Sequence, residues 1–140
     1  MAIIGDVDRF RRGVQLIKDQ VHFDQLQTRV SLFEVTIRML GGLLSSHLFA
    51  SDPKSAVYMP DYDGELLARA VQLGDILLPA FDTQTGIPYN NIHFRTGPQK
   101  DMTDTCTAAA GSLLLEFGTL SRLTRNTTYE VKDHKLWACF

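Results

Sequence analysis

The stretch VSLFEVTIRMLGGLLSSH, from Val30 to His47, predicts a long helix that is apolar around most of its circumference. Aliphatic and aromatic side chains recur on nearly every side, so we expect the helix, from about Val30 to Phe49, to be buried. The pair Gly41-Gly42 lowers helix propensity, and glycines inside such a helix usually permit close packing against a neighbour. This helix therefore belongs in the core of the fold.

Two charged residues interrupt this apolar helix. Glu34 and Arg38 lie four positions apart and share one face, which continues through the glycines to Ser45. A buried carboxylate without partners costs several kcal/mol, so its presence needs a reason. One interpretation is a buried intrahelical ion pair or a helix end that reaches solvent. The other is a cavity in which Glu34 holds a proton and Arg38 binds substrate oxygens.

Three more helices are expected along the chain. Helical spacing of apolar residues predicts a first helix from about Asp8 to Val21 and a third from about Tyr62 to Leu78. Each has one polar face that we expect to be exposed to solvent. A fourth, from about Thr105 to Thr124, is apolar on most sides. Amphipathic and buried helices therefore alternate along the chain. This alternation suits a two-layer ring of helical hairpins, although a four-helix bundle is the alternative.

Two boundaries between these helices carry local signals. Asp61 and Asp63 are candidate N-caps for the third helix. Turn residues between about 82 and 98 break the helical rhythm and predict a short β-hairpin or an ordered loop. The predicted fold class is therefore all-α with this one exception.

The fourth helix repeats the polar stripe of the second. Ser112, Glu116 and Thr119 lie between leucines. If both apolar helices belong to an inner ring, Glu116 and Glu34 face one interior, and two carboxylates facing one cavity are what glycoside hydrolysis needs. A structural acid whose hydrogen bonds are satisfied is the alternative for Glu116.

Composition excludes several classes of function. The 140 residues are 44% hydrophobic with a net charge of −2 and no basic block, so we expect no nucleic acid partner. The histidines show no metal-ligand spacing, and no metal site is predicted in this chain. Neither a phosphate-binding glycine loop nor a nucleophile elbow is present.

Two further features bear on the cellular compartment. Cys106 and Cys139 could form one disulfide or none, which does not fix the redox environment. Asn126-Thr127-Thr128 is an N-glycosylation sequon, which matters only if the chain reaches the secretory pathway.

The second helix also carries a family resemblance. Its run from Phe33 to Ser45 closely resembles the FExxIRxLGGLLS signature of glycoside hydrolase family 47, the class I α-1,2-mannosidases. Further blocks in the family's order are Leu78–Phe81, Gly86–Tyr89, Thr105–Ala108 and Leu115–Thr124. The resemblance implies an (α/α)7 barrel of helical hairpins, of which this chain supplies part. It covers residues 1–130, and we expect residues 131–140 to be a divergent C-terminal tail.

The resemblance also implies a reaction and its residues. The family removes α-1,2-linked mannose from N-glycans with inversion and depends on bound Ca²⁺. Glu34 matches the catalytic acid and Arg38 a sugar-contacting arginine, and Glu116, which matches a common family glutamate, is a second candidate substrate contact. The catalytic base, a further aspartate and the calcium ligands belong to later family segments, so we expect an internal fragment that is inactive alone.

The amino-acid sequence around Cys106 resembles that of the ER degradation-enhancing branch of the family. Alanine at position 109 replaces an acid of the processing mannosidases, which puts substrate contacts there in doubt. The branch implies the endoplasmic reticulum lumen, high-mannose N-glycans on misfolded glycoproteins as substrates, and an oxidoreductase as a possible partner. Two alternatives stay open: a lectin-like module that binds mannose glycans without cleaving them, and an isolated fragment that aggregates through exposed apolar faces.

Overall fold

The computed structural model describes residues 5–99 and 107–130. Both cysteines, Cys106 and Cys139, lie outside the described residues, and so do the predicted tail and the predicted start of the fourth helix at Thr105. The disulfide and the boundary at residue 130 therefore stay predictions.

The described residues are mainly helical. The α-helices are α1 (Val7–Gln20), α2 (Leu32–Val35), α3 (Gly41–Ser51), α4 (Glu65–Leu77), α5 (Thr107–Gly111) and α6 (Leu114–Thr124). A π-helical turn, Thr36–Leu40, joins α2 to α3, and we call this continuous helical segment the Glu34 helix. Short 3₁₀ turns cover Phe23–Gln25 and Leu78–Phe81. None of these helices is long and apolar enough to cross a membrane.

Helix α4 is the centre of the core. Its residues Leu66, Ala70, Leu73 and Leu77 are fully buried, and the helix packs against α1, α3 and α6. Burial of four such side chains follows the i, i+3, i+4 spacing of the sequence, with an apolar stripe turned inward. This helix was predicted to have one solvent-exposed polar face. Its exposed residues Gln72 and Asp75 lie on the side opposite the buried stripe.

Helix α1 is held against α4 by charge as well as by apolar contact. Phe10 and Val14 are buried, while Lys18 Nζ donates to Glu65 Oε1 at 2.5 Å. This ammonium group lowers the pKa of the Glu65 carboxyl to about 2. Arg69 Nη2 also donates to the carbonyl oxygen of Lys18 at 3.1 Å, so the C-terminal turn of α1 is tied to the first turns of α4.

A small antiparallel sheet of order β1-β2-β3 lies beside the helices: β1 (Arg29–Ser31), β2 (Asn91–His93) and β3 (Gly97–Pro98). Strands β2 and β3 form the predicted hairpin. The second helix was predicted to begin at about Val30, and that boundary was wrong. Val30 pairs with Ile92 in the sheet, and the helix begins at Leu32 after its Ser31 N-cap.

Two other boundaries differ from the prediction. Helix α4 begins at Glu65 after Gly64 (φ +94°), and the Tyr62 hydroxyl, rather than an aspartate, accepts the Leu66 N–H at 3.1 Å. The predicted fourth helix is broken between α5 and α6, where the Leu113 N–H bonds to the carbonyl oxygen of Ala110 in a tighter turn.

The prediction that two helices are buried on nearly all sides was wrong for this chain. Leu48 and Phe49 of α3 are 45% and 41% exposed, and Leu115 of α6 is 73% exposed. The described residues cover only one side of each helix, so the apolar residues of the other side meet solvent. Such contiguous apolar surface is typical of a docking face or of an aggregation-prone surface.

A close approach between α4 and α6 provides a test of the packing. A Cβ atom added to Gly74 would lie 2.6 Å from Leu120 Cδ2, whereas a Cβ at Gly118 meets nothing within 4 Å. We expect Gly74→Ala to lower the free energy of unfolding by about 1–3 kcal/mol through overpacking. Gly118→Ala, its matched control inside α6, should raise it by about 0.4–1 kcal/mol. Urea unfolding measures both, and equal effects would contradict this packing.

Candidate active site

The Glu34 helix starts at the edge of the sheet. The Leu32 N–H donates to the carbonyl oxygen of Asn90 at 2.8 Å, directly before β2. Ser31 Oγ accepts the Glu34 N–H at 3.4 Å and so caps the helix. Glu34 is therefore in the first helical turn, at a fixed position relative to the hairpin.

The π turn follows immediately and contains Arg38. The Gly41 N–H donates to the carbonyl oxygen of Thr36, one residue further back than in an α-helix. Single π turns inside α-helices occur frequently at functional sites, because the extra residue re-aims the side chains around it. Thr36 is fully buried, and its hydroxyl has no hydrogen-bond partner among the described residues.

Glu34 and Arg38 form an exposed ion pair. Arg38 Nε donates to Glu34 Oε2. The Arg38 side chain is 73% exposed, and the Glu34 side chain is 48% exposed. The neighbouring carboxylate raises the pKa of the Arg38 guanidinium. The buried form of the ion pair is therefore wrong, and the pair lies at a helix end that reaches solvent, the other form left open. The apolar residues of the helix turn toward α4, and the polar stripe turns away from it.

The exposure of this pair bears on its purpose. Exposed ion pairs contribute roughly 0–1 kcal/mol to stability, so the fold does not depend on Glu34 or Arg38. Gly42 and Ser45 continue the same exposed stripe along α3. The stripe is thus an open polar surface on an otherwise apolar helix, and it is accessible to a ligand.

Glu116 reaches the Glu34 helix from α6. Its Oε1 lies 3.4 Å from the position that a Cβ of Gly41 would take, and its Oε2 is buried without a hydrogen-bond partner in the part of the chain that the structure describes. Burial raises the pKa of the Glu116 carboxyl. Gly41 and Glu116 also line a cleft of about 220 Å³ together with Ser45 and Thr119. The structure therefore places Glu116 beside the Glu34 helix at Gly41.

The loop before β2 forms a second cleft, of about 480 Å³. Its lining includes Asp82, Gln84 and Tyr89. The loop continues into Asn90, whose carbonyl oxygen holds the N-terminus of the Glu34 helix. The sequence predicted a hairpin or an ordered loop here and a family block at Gly86–Tyr89, but no pattern predicted a cleft.

His47 makes a polar contact that no pattern in the sequence predicted. The Tyr62 hydroxyl accepts the Leu66 N–H and shares a hydrogen bond with His47 Nδ1, 2.9 Å away. Burial lowers the pKa of His47. The contact links α3 to the start of α4 and so supports the position of the Glu34 helix from its far end.

The described residues do not supply a calcium site. Calcium takes six to eight oxygen ligands, mostly carboxylates and carbonyls. No group of three or more His, Cys, Asp or Glu side chains in residues 5–99 and 107–130 is placed to hold a metal ion. The donor set therefore does not fit Ca²⁺ in this part of the chain.

A comparison with known protein families identifies the family to which this fold and this site belong. The model of glycosyl hydrolase family 47 matches residues 1–139. The chain belongs to this family. The family match extends into the segment predicted to diverge after residue 130.

Two relatives illustrate the branch of family 47. The chain is 44% identical over 131 residues to ER degradation-enhancing alpha-mannosidase-like protein 1 of Schizosaccharomyces pombe, covering 93% of this chain and 16% of that protein. It is 47% identical over 131 residues to alpha-mannosidase I MNS4 of Arabidopsis thaliana, covering 93% and 21%. The predicted family and branch are confirmed, and the chain spans about a fifth of the length of these relatives.

A solved family 47 structure confirms the fold class. The chain superposes on an alpha-1,2-mannosidase from Trichoderma reesei with a TM-score of 0.81 and 30% sequence identity, covering 96% of this chain and 28% of that one. The chain is therefore part of the family's helical barrel rather than a separate four-helix bundle.

The buried position of Glu116 predicts a pH-dependent stability. Its folded-state pKa is raised, so as pH rises above about 4.5 the unfolded chain ionises first and unfolding becomes more favourable. Glu116→Gln removes this effect. We expect the gain in Tm of the variant over the parent to be larger at pH 7 than at pH 4. Asp24→Asn, at an exposed carboxylate, is the control and should show no such trend. A gain that does not change with pH would contradict the buried position.

Proposed function

We propose that the whole protein is an α-1,2-mannosidase-type glycoside hydrolase that trims mannose from N-glycans of misfolded glycoproteins with inversion. Membership of family 47 supports this proposal, and so do relatives whose names describe α-mannosidases and ER degradation enhancement. The observation that carries the proposal is the exposed Glu34–Arg38 pair, whose arginine lies in a π turn and which contributes little to stability.

Glu34 is the proton donor in this proposal. An inverting glycosidase protonates the leaving oxygen with one carboxylic acid while a second carboxylate activates water, roughly 6.5–9.5 Å away. Glu34 supplies the acid, and its exposure leaves room for a sugar. The base comes from family segments outside this chain.

Arg38 has two roles in the proposed cycle. In the described conformation its Nε donates to Glu34 Oε2, so this carboxylate oxygen is occupied. A proton donor must face the glycosidic oxygen, so this contact has to loosen before catalysis. Sugar hydroxyls that accept hydrogen bonds from the guanidinium draw it away from Glu34.

The remaining assignments belong to the whole protein. We propose that Glu116, beside the cleft at Gly41, contacts the substrate from the neighbouring helix. Calcium would bind through later family segments, where it would supply a fixed positive charge for orienting substrate oxygens. The lumen of the endoplasmic reticulum is the proposed compartment, with high-mannose glycoproteins as substrates and an oxidoreductase as partner.

Removal of the proton donor tests the mechanism. In the full-length protein that contains this chain, we expect Glu34→Gln to lower kcat for mannose release from an α-1,2-linked oligomannose by about 100-fold or more, the usual contribution of general acid catalysis. Its Tm should change little because the side chain is exposed. Asp24→Asn, a carboxylate-to-amide change away from this surface, should retain full activity. Wild-type activity in Glu34→Gln would overturn the assignment.

A lectin-like function is the second candidate, favoured by the same Arg38 contact, which occupies a Glu34 carboxylate oxygen in the described conformation. It predicts that Arg38→Met abolishes oligomannose binding while Glu34→Gln binds normally and the wild type releases no mannose. The hydrolase predicts mannose release by the wild type, with KM raised in Arg38→Met. Glycan binding and mannose release measured on the same three proteins decide between the two functions.

A further inference from the structure

The sequon Asn126-Thr127-Thr128 lies in an exposed turn just after α6. All three residues are exposed, and the sequence contains no other Asn-X-Ser/Thr triplet. Helix α6 ends at Thr124, and the left-handed backbone of its C-cap Arg125 (φ +56°) turns the chain out of the helix. The next helical residues begin at Thr128, so the sequon occupies the corner between two helices.

Within the described residues, the hydrogen bonds of this corner do not involve the side-chain nitrogen of Asn126 or the hydroxyl of Thr128. The Asn126 N–H donates to the carbonyl oxygen of Ser121 at 3.2 Å, and Asn126 Oδ1 accepts the Thr128 N–H at 3.1 Å. Within the described residues, neither Asn126 Nδ2 nor Thr128 Oγ1 makes a hydrogen bond. The turn is therefore fixed through the backbone and Oδ1, whereas the amide nitrogen has no partner in residues 5–99 and 107–130.

This division of roles makes the turn compatible with a glycan. An asparagine amide nitrogen carries two protons, and N-glycosylation replaces one of them. Oδ1 keeps its contact with the Thr128 N–H after the replacement. Tyr129, next in the chain, is buried and donates to Asp75 Oδ1 at 2.6 Å, so the corner stays anchored to α4 while the glycan extends into solvent.

We propose that Asn126 is an N-glycosylation site, so that this protein carries a glycan of the class that its family trims. The inference rests on the lumenal location in the proposed function. Asn126 Nδ2 forms a bond to the anomeric carbon of a lipid-pyrophosphate-linked oligosaccharide, and Nδ2 loses one proton. The bond from that carbon to the pyrophosphate oxygen breaks, and the lipid pyrophosphate leaves with the electron pair.

The test supplies the entry signal, so that it does not depend on the natural compartment. The 140-residue chain with a cleavable secretory signal is translated in the presence of microsomes. A parallel version carries a flexible Gly/Ser extension after residue 140, so that more chain follows the sequon. Protease protection identifies the molecules that entered the lumen. We expect one mobility step that endoglycosidase H removes in the protected fraction.

Three variants assign the step to this sequon. Asn126→Gln and Thr128→Ala should abolish it, whereas Thr127→Ala, the matched control at the middle position, should retain it. Mass spectrometry of the enzymatically deglycosylated chain should find Asn126 deamidated. Protected but unmodified chain in both versions would overturn the proposal, and so would a step that persists in Asn126→Gln. The mannose-release assay on Glu34→Gln is independent of this result, so the two proposals fail separately.

Discussion

The Glu34 helix is held by the apolar side chains of one face, and this one-sided burial sets the geometry of the candidate site. Leu32, Val35 and Leu40 are buried, while the opposite stripe from Glu34 to Ser45 stays in solvent. Burial of each such side chain stabilises the fold by roughly 1.5–3 kcal/mol, whereas the exposed ion pair adds at most about 1 kcal/mol. The core thus fixes the helix, and the stripe is left available for chemistry.

The same one-sided burial explains the exposed apolar residues. Leu48, Phe49 and Leu115 meet solvent on the sides of α3 and α6 that no described residue covers. This chain matches only 28% of the solved family 47 relative, so the matched helices are part of a larger structure in that protein. A helix whose sequence is apolar all round but whose described neighbours cover only one face is typical of a segment taken from such an assembly.

Sequence analysis predicted the helices, the hairpin and the family because each has a local signal: apolar periodicity, turn residues or a motif around Glu34 and Arg38. It missed features that depend on neighbours distant in the chain. Strand β1 forms because Val30 pairs with Ile92, and Tyr62 rather than an aspartate supports α4 through its hydroxyl. The π turn has no sequence signature, and the exposure of Glu34 depends on which face α4 covers.

The central claim is that Glu34 donates a proton to a glycosidic oxygen from this exposed stripe. The most direct test is a crystal structure of the full-length protein bound to an unhydrolysable α-1,2-linked mannose disaccharide. The account predicts a Glu34 carboxyl oxygen within about 2.6–3.2 Å of the atom that links the two sugars, with Arg38 turned from Glu34 toward sugar hydroxyls. A disaccharide bound in the barrel with Glu34 out of reach of that atom would contradict it.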